Sequence, residues 1–195
     1  MATYLTKANG DKYAVLEPNL LAARRTGQVR AQLPLNATDF ATEPAQNGTL
    51  LSYDMADGSV KLPGANGTTT GLMLHFSVEK EYDHIRPGLN NFAVWRQVAN
   101  ENPGSPYPRL FQLHLGDTFT TDAVRTNAGT RTAAQTAEDF AALTVGHVYQ
   151  VNTDGFIDAA AGTQTTITGV RVKLVAKTTL PDGGLACKFQ VTNVV

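Results

Sequence analysis

The chain has 195 residues and a mass of 20.8 kDa, which leaves room for one domain or two small ones and is long enough to bury a core unaided. Its 16 Lys and Arg against 17 Asp and Glu give a formal charge of −1. That balance excludes a binder driven by nucleic-acid phosphates, which needs a clear basic excess. Charged residues make up only 17%, below the roughly 25% of average soluble proteins, while Thr, Gly and Asn are abundant; this is the composition of a β-rich, turn-rich protein with a neutral surface. The lone cysteine, Cys187, excludes an internal disulfide and a multi-cysteine zinc site.

The N-terminus, Met1 to Gly10, lacks the basic and apolar regions of a secretory signal. The longest nearly uncharged apolar runs, such as Gly71 to Phe76, fall far short of the ~18 residues of a membrane span. The expectation is a soluble protein made in the cytoplasm. Asn36, Asn47 and Asn66 each open an Asn-x-Thr triplet and are read as turn residues.

Residues 1–46 form the least globular part and are read as an extended N-terminal arm. Within it, Glu17 to Gly27 has the marks of two helical turns, with Pro18 at the first position and Gly27 as the stop. A β-rich body, residues 47–195, follows, with a possible sub-boundary at the rigid, Pro-rich loop 103–108. Thr49 to Tyr53, a turn at Asp54 to Gly58 and Ser59 to Leu62 read as a hairpin, Asp57-Gly58 supplying the positive φ. Leu72, Leu74, Phe76 and Val78 share a strand face, with His75, Ser77 and Glu79 opposite. Asn91 to Val98 fits a strand edge or a helical turn.

In the second half, Phe111, Leu113 and Leu115 alternate with Gln112 and His114 ahead of a Gly116-Asp117 turn. Residues 125–137 lack a pattern and read as a surface loop. Ala137 to Leu143 reads as a short helix, with Thr136 as N-cap and Asp139 as its capping partner. Val148 to Val151 leads into a hairpin turn at Asn152 to Gly155. The strongest signal is a C-terminal hairpin: Val170, Val172 and Leu174 alternate with Arg171 and Lys173, and Leu185, Cys187, Phe189 and Val191 alternate with Lys188, Gln190 and Thr192, around a turn at 180–184. Short strands at this spacing predict a mainly β fold with little helix, a small barrel or sandwich of antiparallel strands.

The densest titratable cluster is Glu79, Glu81 and Asp83, which on a strand share one face about 7 Å apart; with His75 or His84 they could hold a hard cation or act as an acid/base pair. Without a second ligand segment or a calcium loop they read as a solvated strand face. Asn152, Asp154 and Asp158 resemble a fragment of a calcium loop, but the chain runs on into Ala159 to Gly162, and a hairpin turn is favoured. Cys187 lies on the apolar face of its strand and is expected to be inert core. His75, His84, His114 and His147 lack the spacing that puts two imidazoles on one metal, and no Gly-x-Ser-x-Gly elbow exists. Gly64 to Gly71 has no P-loop lysine. Arg24, Arg25 and Arg30 form the one basic run, read as solvated or as docking onto an acidic partner. No catalytic, cofactor-binding or metal-binding residue is assigned.

Gly48 to Asp54, Gly58 to Pro63, Glu79 to Tyr82, Asn91-Phe92, Tyr107 to Phe111 and Gly116 to Thr121 resemble segments of virion structural proteins of tailed bacteriophages. The likeness is greatest to small proteins that decorate the head beside the major capsid protein, and it spans about 48–155. It implies a capsid decoration (cement or auxiliary) protein without enzymatic activity or cofactor, located on the virion surface. Its partners would be the major capsid protein and neighbouring copies of itself as a homo-oligomer, with no direct nucleic-acid or membrane contact. The alternatives are another virion component, such as a tail-tube, connector or head-fibre protein, and then a soluble carbohydrate-binding module, for which Trp95 alone is a poor aromatic platform.

Overall fold

The computed structural model describes residues 29–31, 33–64, 71–77, 93–94, 96, 107–126, 137–161, 169–180 and 183–194. In chain order the strands are β1 (Val29–Arg30), β2 (Ala45–Gln46), β3 (Leu50–Asp54), β4 (Ser59–Lys61), β5 (Met73–His75), β6 (Ala93–Val94) and β7 (Leu110–Gln112). They continue as β8 (Thr118–Thr121), β9 (Val124–Arg125), β10 (Val148–Tyr149), β11 (Ile157–Asp158), β12 (Val170–Thr179) and β13 (Leu185–Val194). Helix is confined, among the described residues, to α1 (Ala137–Ala142) and the 3-10 turn Ala159–Ala161. No helix among them is long and apolar enough to cross a membrane. The expected β fold is present, and because neither large sheet closes on itself the arrangement is sandwich-like.

One sheet has five strands in the order β1-β7-β5-β3-β4, and the other has four in the order β10-β12-β13-β8. Their inner faces meet in one core. Leu50, Leu72, Leu74 and Phe76 of the first pack in the same cluster as Phe119, Val172, Leu174, Cys187, Phe189 and Val191 of the second. The period-2 alternation read in β12 and β13 is what delivers these side chains inward. Two register shifts interrupt that hairpin, one between Arg171 and Val172 and one between Leu174 and Ala176. The second leaves Val175 without a cross-strand partner and turns it to solvent, at 42% exposure.

The outer face of the five-stranded sheet is buried as well. Leu51, Met73 and Leu110 on that face pack against Leu33, Leu35, Phe40, Ala45 and Val94. The segment read as an arm is therefore, from Leu33 onward, a cover over this sheet. It is tied down by main chain, with Val60 N donating to Pro34 O at 2.8 Å and Asn36 N to Val60 O at 2.9 Å. Asn36 is the turn residue its triplet suggested, its Oδ1 accepting from Thr38 N and Asp39 N. The boundary at 46 thus runs through a packed region; residues 1–28, with the proposed helical turns and Arg24 and Arg25, lie outside the described residues. Arg30 sits with its guanidinium 5.9 Å from the Tyr53 ring centre. The sub-boundary at 103–108 fares no better as a domain limit, since β7 beyond it pairs with both β5 and β1.

Other expectations are corrected in the same way. Leu115 does not continue the inward alternation: β7 ends at Gln112, the chain turns at Gly116, and Leu115 is 58% exposed. Arg125 belongs to β9, paired parallel with β11, and is buried; residues 127–136 lie outside the described ones. Arg171 is buried too, its Nη1 donating to Val170 O at 2.9 Å, although alternation placed it outward.

The two halves are stitched together at the Asn152–Gly155 turn. Asn152 Oδ1 accepts from Asp154 N and Phe156 N, both at 3.0 Å, closing the turn, and Gly155 presents its carbonyl to Leu50 N at 2.8 Å. Gly155 has a φ of 89°, and a Cβ there would stand 2.6 Å from Leu50 O. Gly146 has a φ of 90° but open space around it.

Two outcomes follow from this packing. Phe40→Ala, at a residue 2% exposed in the cover, is expected to cost about 3–5 kcal/mol in urea unfolding, whereas Met55→Ala, at a 78% exposed position, is expected to stay within about 0.5 kcal/mol. Gly146→Ala should cost only the ~1–2 kcal/mol of a left-handed L-residue; Gly155→Ala adds a backbone collision and should melt clearly lower. Equal melting temperatures would refute the role given to Gly155.

Candidate functional site

Among the described residues, side chains capable of chemistry gather in three places. The first is His75, which emerges from β5 on the covered face. It is fully buried. Its Nδ1 lies 2.8 Å from Gln46 O and its Nε2 2.7 Å from Ser77 Oγ. A carbonyl can only accept, so Nδ1 carries the hydrogen, and Nε2 accepts from the Ser77 hydroxyl. Ser77 Oγ in turn accepts Arg109 N–H at 2.7 Å, and Ser77 N–H donates to Asn47 Oδ1 at 2.9 Å. Burial drives the imidazole pKa down to about 4, against the opposing pull of the Gln46 carbonyl.

A serine hydroxyl on a histidine Nε2, with Nδ1–H held by an acceptor, is the contact a nucleophile–base pair requires. Here it lacks the rest. An imidazole with a pKa near 4 is a weak base at neutral pH, and its full burial leaves no space for a leaving group to collect the proton. The pair acts as a brace.

The second place is the buried ionic cluster under α1. Arg125 and Asp139 are each 3% exposed, with Nη1 and Oδ2 3.9 Å apart. The expected capping pair with Asp139 involves Thr136, which lies outside the described residues. Asp139 Oδ1 accepts Thr126 N at 2.6 Å and Thr126 Oγ1 at 2.7 Å, fastening the helix to the end of β9. The Arg125 guanidinium also lies 4.7 Å from the Phe156 ring centre. Burial lowers its pKa, and Asp139 and Asp122 pull it back up.

Cys187 is buried in β13, as its strand face predicted. Burial pushes its thiol up to about 12, with Lys177 opposing. A protonated, enclosed thiol is neither nucleophile nor ligand at neutral pH.

The third place is the β3–β4 hairpin, where Lys61 Nζ lies 2.7 Å from both Asp54 Oδ2 and Asp57 Oδ2. The Lys61 ammonium holds both carboxyls below their ordinary range, Asp57 at about 2, and the Lys61 pKa rises in return. This is a solvent-facing clasp on a turn, worth little to stability.

The remaining sequence candidates that fall among the described residues scatter. Glu79, Glu81, Asp83 and His84 lie outside the described residues. Asp158 Oδ1 accepts Ala160 N at 3.0 Å, and Asn152 is spent on its turn. His114 N donates to Asp117 Oδ2 at 2.9 Å, and His147 stacks near Tyr149 with ring centres 6.4 Å apart. No group of three metal-binding side chains forms among the described residues. A recess lined by Phe40, Gln46, Leu51, Leu62, Asp154 and Phe156 has a cavity volume of about 10 Å3, room for about one water molecule.

Sequence reasoning missed Gln46, Ser77, Arg125 and Asp139. Ser77, two residues from His75 on an alternating strand, carried a usable signal for sharing its face. Arg125 and Asp139 carried none. No protein-family model, curated protein or solved structure matches this chain.

Covalent probes read the chemistry directly. A fluorophosphonate should leave Ser77 unmodified, and a thiol reagent should label Cys187 slowly in the native protein and fast after denaturation. Rapid native labelling of either residue would overturn these assignments.

Proposed function

We propose that this chain is a non-enzymatic structural protein of a tailed-phage virion, decorating and stabilising the capsid shell by binding the major capsid protein. The observation that carries the reading is the sequence resemblance over about 48–155. Much of it falls on residues that build the frame of both sheets: the β3–β4 hairpin, the approach to β7, and the Gly116 turn with β8. Residues in these roles specify a β scaffold and carry no chemistry of their own.

The disposition of polar groups supports a structural role. His75, Arg125, Asp139 and Cys187 are enclosed and engaged inside the fold, and none faces the recess described above. The surface carries few charges, and large apolar side chains stand exposed at Val29, Leu115, Val145 and Val175. A weakly charged β surface suits lasting attachment to a large assembly, where desolvating charge opposes burial.

The experiment is localisation on particles. In virions fractionated into heads and tails, the protein is expected with heads, and density for it is expected on the outer shell in contact with the major capsid protein. Recovery with tails would favour a tail-tube or connector role. Absence from purified particles would end the virion reading altogether.

A further inference from the structure

The His75 brace has a property that a purely apolar core lacks. We propose that acidification opens this protein locally, releasing β2 and the turn that follows it from β5 and β7 while the four-stranded sheet stays closed. The argument is independent of the virion reading.

It begins with the topology. β2 pairs with β6 in its own two-stranded sheet and makes no ladder to the five-stranded one. Its neighbourhood is joined to β5 and β7 by His75 Nδ1–H on Gln46 O, Ser77 N–H on Asn47 Oδ1, and Arg109 N–H on Ser77 Oγ. The main-chain pairs Gly48 N to His75 O and His75 N to Thr49 O complete the seam. The first three involve the imidazole or its partner Ser77, and the last two are made by the His75 main chain.

A second proton on Nε2 converts an acceptor into a donor facing Ser77 Oγ. The Ser77 hydroxyl then loses its acceptor and must turn, although its oxygen already holds Arg109 N–H. The cation so formed is buried, and among the described residues the surrounding elements offer little to neutralise it. Across β7 stand Arg109 and, on β1, Arg30, both exposed cations. On the β3 side, Asp54 lies at the far end of its strand and is held by Lys61. Beside β2 is the half-buried Glu43, and beside β6 the half-buried Arg96. Glu79, Glu81, Asp83 and His84 follow Ser77 in sequence, outside the described residues.

The sign is fixed by linkage. The enclosed imidazole resists protonation down to about pH 4, while in the opened seam it takes a proton near the ordinary 6.5. Between those values the open form binds more protons, so closure is complete above pH 6.5 and is lost progressively as pH falls toward 4. From pH 7 to pH 5 the opening equilibrium should rise about 20-fold.

Hydrogen exchange on the full chain, corrected for intrinsic rates, tests this. At pH 5 against pH 7, the amides of Gly48, His75, Ser77 and Arg109 should lose about 20-fold in protection, while those of Leu174 and Val191 in the β10–β12–β13 region stay unchanged. In His75→Asn, whose amide can still donate to Gln46 O, the difference between the two pH values should vanish. Should that variant not fold, Ser77→Ala serves instead: without the hydroxyl donating to Nε2, the closed form takes a proton more readily, so the loss of protection between pH 7 and pH 5 should shrink. Equal loss in both sets of amides, an acid response that survives His75→Asn, or an undiminished response in Ser77→Ala would each overturn the proposal.

Discussion

The hydrogen bond from His75 Nδ1 to the Gln46 carbonyl, which spans 29 positions of chain, is the joint on which the five-stranded half of the molecule depends. A sheet covered on one face can leave the other to water. Covering both faces requires the covering chain to find partners for its own polar backbone without a ladder. Here main-chain pairs at Pro34, Asn36 and Gly48 supply part of this, and side chains supply the rest. His75 and Thr49 both donate to the Gln46 carbonyl, and the Asn47 amide oxygen takes the Ser77 N–H. Apolar burial at Leu33, Leu35 and Phe40 supplies the driving force, and these bonds give it a direction.

This arrangement explains which parts of the fold were legible in sequence. The β3–β4 hairpin, the Asn152–Gly155 turn and the long C-terminal hairpin were readable because local rules govern them: alternation along each strand, and Gly at a positive φ in the turn. Cys187 was readable for the same reason. What alternation cannot report is whether a second layer lies over the outward face. His75 and Arg171 occupy positions that alternation assigns to water, and the fold covers both. The segment from Leu33 to Gln46 looked like an arm because its apolar residues follow no period. They need none, since they meet the sheet through turns and single bridges such as Leu35 opposite Val60.

The candidate chemistry was hidden by the same cause. Arg125 opens a stretch whose composition suggests an exposed loop and Asp139 lies in the short helix read after it, yet they meet inside the protein. A buried ionic pair of this kind is weak evidence for added stability, because desolvation opposes the attraction. It does dictate orientation. A helix as short as α1 has little stability of its own, and Asp139, bonded to the Thr126 amide and hydroxyl, fixes both its position and its rotation against β9. Lys177 from β12 adds a second hold, 4.9 Å from the Phe140 ring centre. The sequence signature of such a clamp is two isolated polar residues, and nothing local distinguishes them from solvated ones.

The placement of β1 and β7 has a consequence for how the chain is made. The β12–β13 hairpin closes around a five-residue turn and can zip as soon as both arms exist, a contact of low sequence separation. The five-stranded sheet cannot. β7 is its second strand, inserted between β1 and β5, so β3, β4 and β5 leave the ribosome well before the partner that completes them. During that interval the β5 edge, with Met73 and Leu74, has no neighbour on the β7 side. Synthesis therefore passes through a stage in which an unfinished apolar sheet is exposed, and its length is set by how quickly residues 76 to 112 are translated.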